Sequence, residues 1–262
     1  MSLNPTDGHM IAGVMLDEHR FLGRVKTSQL FQIAPDPRET ENKKKLDSRK
    51  QLQELREVRE VVQRLFEGAK AKNVPKYAQY IAEVNKGMSG MTPPIILYSE
   101  AELPVEVGET GTGYIQVAWD QLLVAIDGET QLAARYEAVN LNGDTKNEHV
   151  AVYICHGHDH YWARQAFHDL NVLAVKPNPA LSISMDTRDP LTSVAREIEE
   201  KVPFFRGRVS KSKRQLGAGD TAVTTMSALR GACITLAEGI GGVKWGTRPV
   251  PVRDERVPTI SK

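Results

Sequence analysis

Apolar positions along this chain fall into two rhythms. Met10 to Leu16 and Leu30 to Ile33 are short apolar stretches that predict strands, closed by Pro35 and Pro37. Over 39–72 the rhythm lengthens: Leu55, Val58, Val62, Leu65 and Phe66 recur at helical spacing among Lys, Arg, Glu and Gln, which predicts a long amphipathic helix. A second helix is expected from Pro75 to Asn85, with Pro75 in its first turn and Gly87 and Gly90 beyond its end. The chain then reads as strands: Ile95–Tyr98, then the alternating Tyr114–Trp119, then Leu122–Ile126, which stops at Asp127-Gly128. A helix over Thr130–Val139, a strand over Val150–Ile154 and a helix over Tyr161–Leu170 follow. Helices are also expected shortly after Leu181, over Asp189–Val202 and over Thr221–Glu238, and the proline-bearing tail should be loose. This succession predicts an α+β protein, with strands and helices over 1–90, a core with a helical C-terminal part over 91–245, and a tail over 246–262.

Composition narrows the class. The 262 residues are 40% hydrophobic and 26% charged, an ordinary globular balance with enough chain for a real core. No run approaches the length of a membrane-spanning helix, and the first residues lack the basic-then-apolar pattern of a secretory signal. Two cysteines, Cys155 and Cys233, make a disulfide framework improbable, so a reducing, cytoplasmic setting without membrane association is expected. Cys233, on a helix with Met226, Leu229 and Leu236, reads as a core thiol. The 34 basic and 33 acidic side chains nearly cancel, but unevenly. Residues 100–150 hold ten acids and two bases, about −8, whereas 201–250 hold nine bases and two acids, about +7.

Three features can carry chemistry. At Asp127-Gly128-Glu129-Thr130-Gln131, a glycine after a buried strand lets backbone N–H groups approach a ligand, and the following helix adds its positive end. The plainer reading is a tight turn with Asp127 as N-cap. The second feature is the clustering of His149, His156, His158, His160 and His168; an extended segment would align His156, His158 and His160 on one face. No Cys or carboxylate stands at a recognised spacing to complete a metal site, so a polar loop and no metal are expected. The third is Arg206, Arg208, Lys211, Lys213 and Arg214, five cations in nine residues without an acid, interleaved with glycine and serines. Phosphate backbones are bound by such arrays, so this segment is the candidate DNA contact; a solvated surface loop is the alternative.

The segment Ala125–Ala134 resembles the signature of the DGQHR-domain proteins, themselves similar to the ParB and sulfiredoxin-like fold. Further elements follow in the family's order: Phe167-His168-Asp169-Leu170-Asn171, Lys176-Pro177-Asn178, Asp186-Thr187-Arg188-Asp189-Pro190, Pro203 to Val209 and Thr224 to Arg230. Within that group the chain is similar to the DndB-like regulators encoded with DNA phosphorothioation systems, over roughly 90–245. The resemblance implies a ParB/sulfiredoxin-like core, a DNA-binding regulatory role, DNA and proteins of a DNA-modification system as partners, and no cofactor. It also makes Asp127, Gly128, Glu129, Thr130, Gln131, Arg135, Asp169 and Asn171 candidates for a ligand site, with nucleotide among the ligands to consider. Asn171 is equally a candidate left-handed helix cap. One departure matters. Where the name-giving motif has Gln-His-Arg after Asp-Gly, this chain has Glu129-Thr130-Gln131, and its nearest arginine is Arg135. The rival reading is a nucleotide-hydrolysing or DNA-cleaving enzyme of the same fold, using the 127–135 turn and Asp169. A third is a protein-interaction module docking through the 39–72 helix.

Overall fold

The computed structural model describes residues 3–39, 69–173 and 178–241. It divides into two compact units, Met1–Ala174 and Val175–Lys262. The fold is α+β, as the sequence predicts. Most of the 39–72 helix and all of the 246–262 tail lie outside the described residues.

The first unit is built on a seven-stranded sheet. Its strands are β1 (Gly8–Asp17), β2 (Arg20–Lys26), β3 (Ile95–Ser99), β4 (Val105–Val107), β5 (Thr112–Ala118), β6 (Val124–Asp127) and β7 (His149–His156). They lie in the order β4-β5-β1-β2-β7-β3-β6, antiparallel throughout except for β3 beside β7. The sheet therefore mixes strands from both sides of residue 90. Period-two burial fixes the register: Phe21, Gly23 and Val25 face inward from β2, and Phe21 pairs with Ile154 while Ile11 pairs with Ile115. β2 was not expected, because its inward set includes a glycine and its outward set two arginines, Arg20 and Arg24. β4, at the sheet edge, is too short to show a pattern.

The stretch Leu30–Ile33, expected as a strand, lies in helix α1 (Thr27–Ile33). Leu30 and Ile33 sit three apart on the helix face that enters the core, and a four-residue apolar run fits either period. Helix α2 (Ala69–Asn85) begins six residues before Pro75, so the proline lies inside it and not in the first turn. α2 packs on α3 (Glu129–Leu141) through Val74, Ala78, Ile81 and Ala82 against Ala133, Ala134 and Ala138, small side chains that let the two backbones approach. Along β3, Ile95 and Leu97 join the main core with Leu132 of α3. Tyr98 and, from β6, Val124 and Ile126 face the other way, where α4 (His160–Val172) covers them with Trp162, Ala163 and Phe167.

The second unit holds α5 (Pro179–Met185), α6 (Pro190–Lys201), α7 (Met226–Glu238) and the two-residue parallel strands β8 (Val209–Ser210) and β9 (Thr224–Thr225). Leu191, Val194 and Ala195 of α6 meet Met226, Leu229, Cys233 and Ile234 of α7. Leu236 is 77% exposed and so lies off this face, contrary to its expected grouping with Cys233. Asn178, Asp189 and Thr225 cap α5, α6 and α7, each accepting a backbone N–H with its side chain. Asp189 also binds Arg230 Nε at 2.6 Å, with both side chains almost wholly buried.

Candidate functional site

The Asp-Gly turn lies where β6 hands over to α3. Gly128 has φ +84°, and a Cβ there would come within 3.3 Å of Ile95 Cα, so the position requires glycine twice over. Gly128, not Asp127, is the N-cap; Asp127 ends β6 and its Oδ1 accepts the Gly128 N–H at 2.8 Å. Gly128 brings no side chain to cap the first turn of α3. A cleft with a volume of about 190 Å³ lies at the end of β6. Its wall includes Asp127, Gly128, Glu129, Thr130 and Gln131 from the turn, with Phe167 and Asn171 from α4. Gln131 is fixed at both ends of its amide: Nε2 donates to Pro93 O at 3.1 Å and Oε1 accepts from Tyr77 O–H at 3.0 Å. Burial holds the Tyr77 hydroxyl above its ordinary pKa, so it stays a donor.

Two of the expected site residues are elsewhere. Arg135 is fully buried and does not reach the cleft. Its guanidinium pairs with Glu148 at 2.6 Å and donates to Thr92 Oγ1 at 2.9 Å and Thr27 Oγ1 at 3.4 Å, tying α1, α3 and the segment before β3 together. One helical turn beyond Gln131, the side chain projects into the protein, which sequence spacing does not reveal. Asp169 is not part of the wall either; it accepts from Gln165 Nε2 at 2.7 Å and lies 3.1 Å from His168 Nδ1. His168 first, and then Gln165, hold the Asp169 carboxyl below its ordinary range. Asn171 stays at the wall but is no left-handed cap: it lies inside α4, its Nδ2 donating to Phe167 O at 2.8 Å. The cleft thus offers two carboxylates, two hydroxyls and two amides, and among the described residues its wall contains no lysine or arginine. Such a surface repels phosphate groups.

The histidines do not align either. His156 ends β7, Gly157 turns the chain at φ +72°, and His160 opens α4, so the three alternate positions leave the extended geometry that one face requires. His156 and His158 instead gather around His19 from the β1–β2 turn, with ring centroids at 6.1 and 4.5 Å. No group of three or more His, Cys, Asp or Glu side chains among the described residues is placed to hold a metal ion. His19 joins the cluster without any signal in the local pattern, since it stands among charged residues far along the chain.

In the second unit, all five cations of the 206–214 segment are exposed. Folding, however, brings acids to two of them. Lys211 Nζ lies 3.1 Å from Glu199 of α6, and Lys213 pairs with Asp220. Arg206 Nε donates to Glu200 O at 3.0 Å, which leaves its charge uncompensated. The Arg208 guanidinium lies 5.2 Å from the centre of the Phe204 ring, a cation–π contact that orients a planar donor set toward solvent. Arg214 makes no ion pair or hydrogen bond among the described residues. The surface therefore presents three unneutralised arginines in place of the five cations counted in the sequence. Arginine forks suit bidentate contact with phosphate oxygens.

A family model for the DNA-sulfur modification-associated DndB proteins matches residues 39–252. The chain belongs to the DndB family. That match spans both the Asp-Gly cleft and the arginine segment, and it ties the chain to DNA sulfur modification. The chain matches no curated protein and no solved structure. No described helix is long and apolar enough to cross a membrane.

Proposed function

We propose that this DndB-family chain is a DNA-binding regulator of a DNA sulfur-modification system, with a ParB/sulfiredoxin-like core and a phosphate contact at Arg206, Arg208 and Arg214. The observation that carries the reading is the exposed arginine set of the second unit, whose charges no acid among the described residues neutralises, in a chain of a family associated with a DNA modification. Guanidinium groups at this spacing bind phosphate oxygens and release condensed counterions. They position the protein on the duplex; sequence choice comes from another element. Lys211 and Lys213 contribute less, since each must first give up its carboxylate partner.

The Asp-Gly cleft plays no part in phosphate binding in this reading. Its carboxylates, with no lysine or arginine beside them among the described residues, favour a neutral or donor-bearing ligand over a nucleotide. The experiment is a fluorescence-anisotropy titration of labelled duplex across a salt series, with and without nucleotide, alongside a nucleotide-turnover measurement. Salt-dependent DNA binding without turnover supports the regulator. Turnover lost on Asp127→Asn, with DNA affinity retained, would replace it with the enzyme reading.

A further inference from the structure

The loop that leads from β3 into the edge strand β4 is fastened to the sheet by a histidine. His156 is 2% exposed, and its Nδ1 accepts the backbone N–H of Leu103 at 3.2 Å. An acceptor nitrogen must carry its lone pair, so in the neutral ring the proton sits on Nε2. Leu103 itself is 3% exposed and belongs to the main core. The residues on either side are held by other bonds: Ala101 O accepts from Gly157 N and Ser99 Oγ, and Pro104 O accepts from Gln116 N. The Leu103 N–H is thus the one described main-chain group of the loop that depends on an imidazole.

We propose that His156 is a proton-operated latch: its neutral ring holds the 102–104 loop on the sheet, and protonation at Nδ1 releases it. An imidazolium is a donor at both nitrogens, so Nδ1–H and Leu103 N–H would then face each other as two donors without an acceptor. The other ring nitrogen offers no relief, because among the described residues Nε2 is buried without a partner and so is Nδ1 of the neighbouring His19. The loop forms part of the wall of a cavity of about 420 Å³, together with Met15, Glu18, Val105 and His156, so release of Leu103 opens that wall next to the sheet edge.

The groups around the ring set where the latch works. Asp17 ends β1, His19 comes from the β1–β2 turn, Glu18 from the same turn lies on the shared cavity wall, His158 follows β7, and Glu102 is on the loop itself. Burial is the largest influence and His19 the next, both disfavouring the charged ring; Glu102 and Asp17 oppose them, and His158 adds to them. The net result lies below the ordinary histidine value of 6.5. The unfolded chain therefore takes up the proton first. The contribution of the latch is complete above 6.5 and is lost as the pH falls through the lower value of the folded protein.

The test is amide hydrogen exchange at Leu103 in the full chain, expressed as a protection factor to remove intrinsic pH dependence, between about pH 8 and about pH 5. The expected result is a progressive loss of protection as the pH falls below the ordinary histidine value, no steeper than ~10-fold per pH unit, the slope of one linked proton. His156→Asn supplies an acceptor oxygen at the position of Nδ1 but does not titrate, so its Leu103 protection should stay level across the range. A level profile in the natural chain, or an equal loss in His156→Asn, would overturn the proposal. Ring-nitrogen NMR of the natural chain gives a separate check that needs no variant. The Nε2–H tautomer at neutral pH is expected, and an Nδ1–H tautomer would refute the latch.

Discussion

The salt dependence of DNA binding separates free from paired cations. Each phosphate contact releases counterions, and the affinity falls with salt at a slope of about −0.9 per contact in log–log form. If Arg206, Arg208 and Arg214 each meet one phosphate, this segment supplies a slope of about −2.7, or about a 40-fold loss of affinity between about 50 and about 200 mM salt. Replacing Arg208 and Arg214 with alanine should flatten the slope by about 1.8 units for specific and unrelated duplexes alike, because phosphate contacts position and do not read bases. Lys211→Ala with Lys213→Ala removes the same formal charge but takes the lysine countercharge from Glu199 and Asp220. Lysines that stay in their ion pairs release few counterions, so that pair should flatten the slope by clearly less than one unit per residue. Anisotropy titrations at four or five salt concentrations measure all three proteins. Equal flattening by the two double variants would refute the reasoning from pairing. No flattening by Arg208→Ala with Arg214→Ala would remove the segment as the contact.

Gly128→Ala should destabilise the first unit by about 1–3 kcal/mol, from its left-handed φ and the 3.3 Å approach to Ile95, measured as a shift of the urea midpoint. An unchanged midpoint would mean that the turn has another conformation. Glu148→Gln keeps the shape of the pair but leaves the fully buried Arg135 guanidinium without a countercharge, so it should cost about 3–5 kcal/mol in the same assay; a loss below the noise would show the pair to be dispensable. For Asp189, burial pushes the carboxyl up, but the hydrogen bonds from Arg230 and Thr192 outweigh it and leave the value below the ordinary 3.8. The folded carboxylate thus binds its proton later than the unfolded one, so this stabilisation is full above 3.8 and is lost as the pH falls through the folded value. Asp189→Asn should abolish that acid-limb component in thermal melts, and an acid limb identical to that of the natural chain would show that it arises elsewhere.

Local pattern was enough for much of the fold. The α+β class, six of the longer elements around Ile95, Tyr114, Leu132, Val152, Ala163 and Val194, and the break at Asp127-Gly128 are legible because period-two and period-3.6 burial are written in neighbouring residues. The ordered motifs also carried the family. What failed was of another kind. Leu30 and Ile33 read as a strand because four residues cannot distinguish the periods, and only their place against β2 and β7 makes them helical. Arg135 looked like a ligand of the turn because it is close in sequence, but the helix carries it away from the cleft and toward Glu148. His19 joins His156 only across a β2–β7 pairing that spans some 130 residues of chain. Glu199 and Asp220 pair with two of the five cations of a run that contains no acid of its own. Charge and hydrogen bonding act through space, so a sequence states which groups exist and how they alternate, and tertiary structure decides which of them are neutralised, buried or left facing solvent.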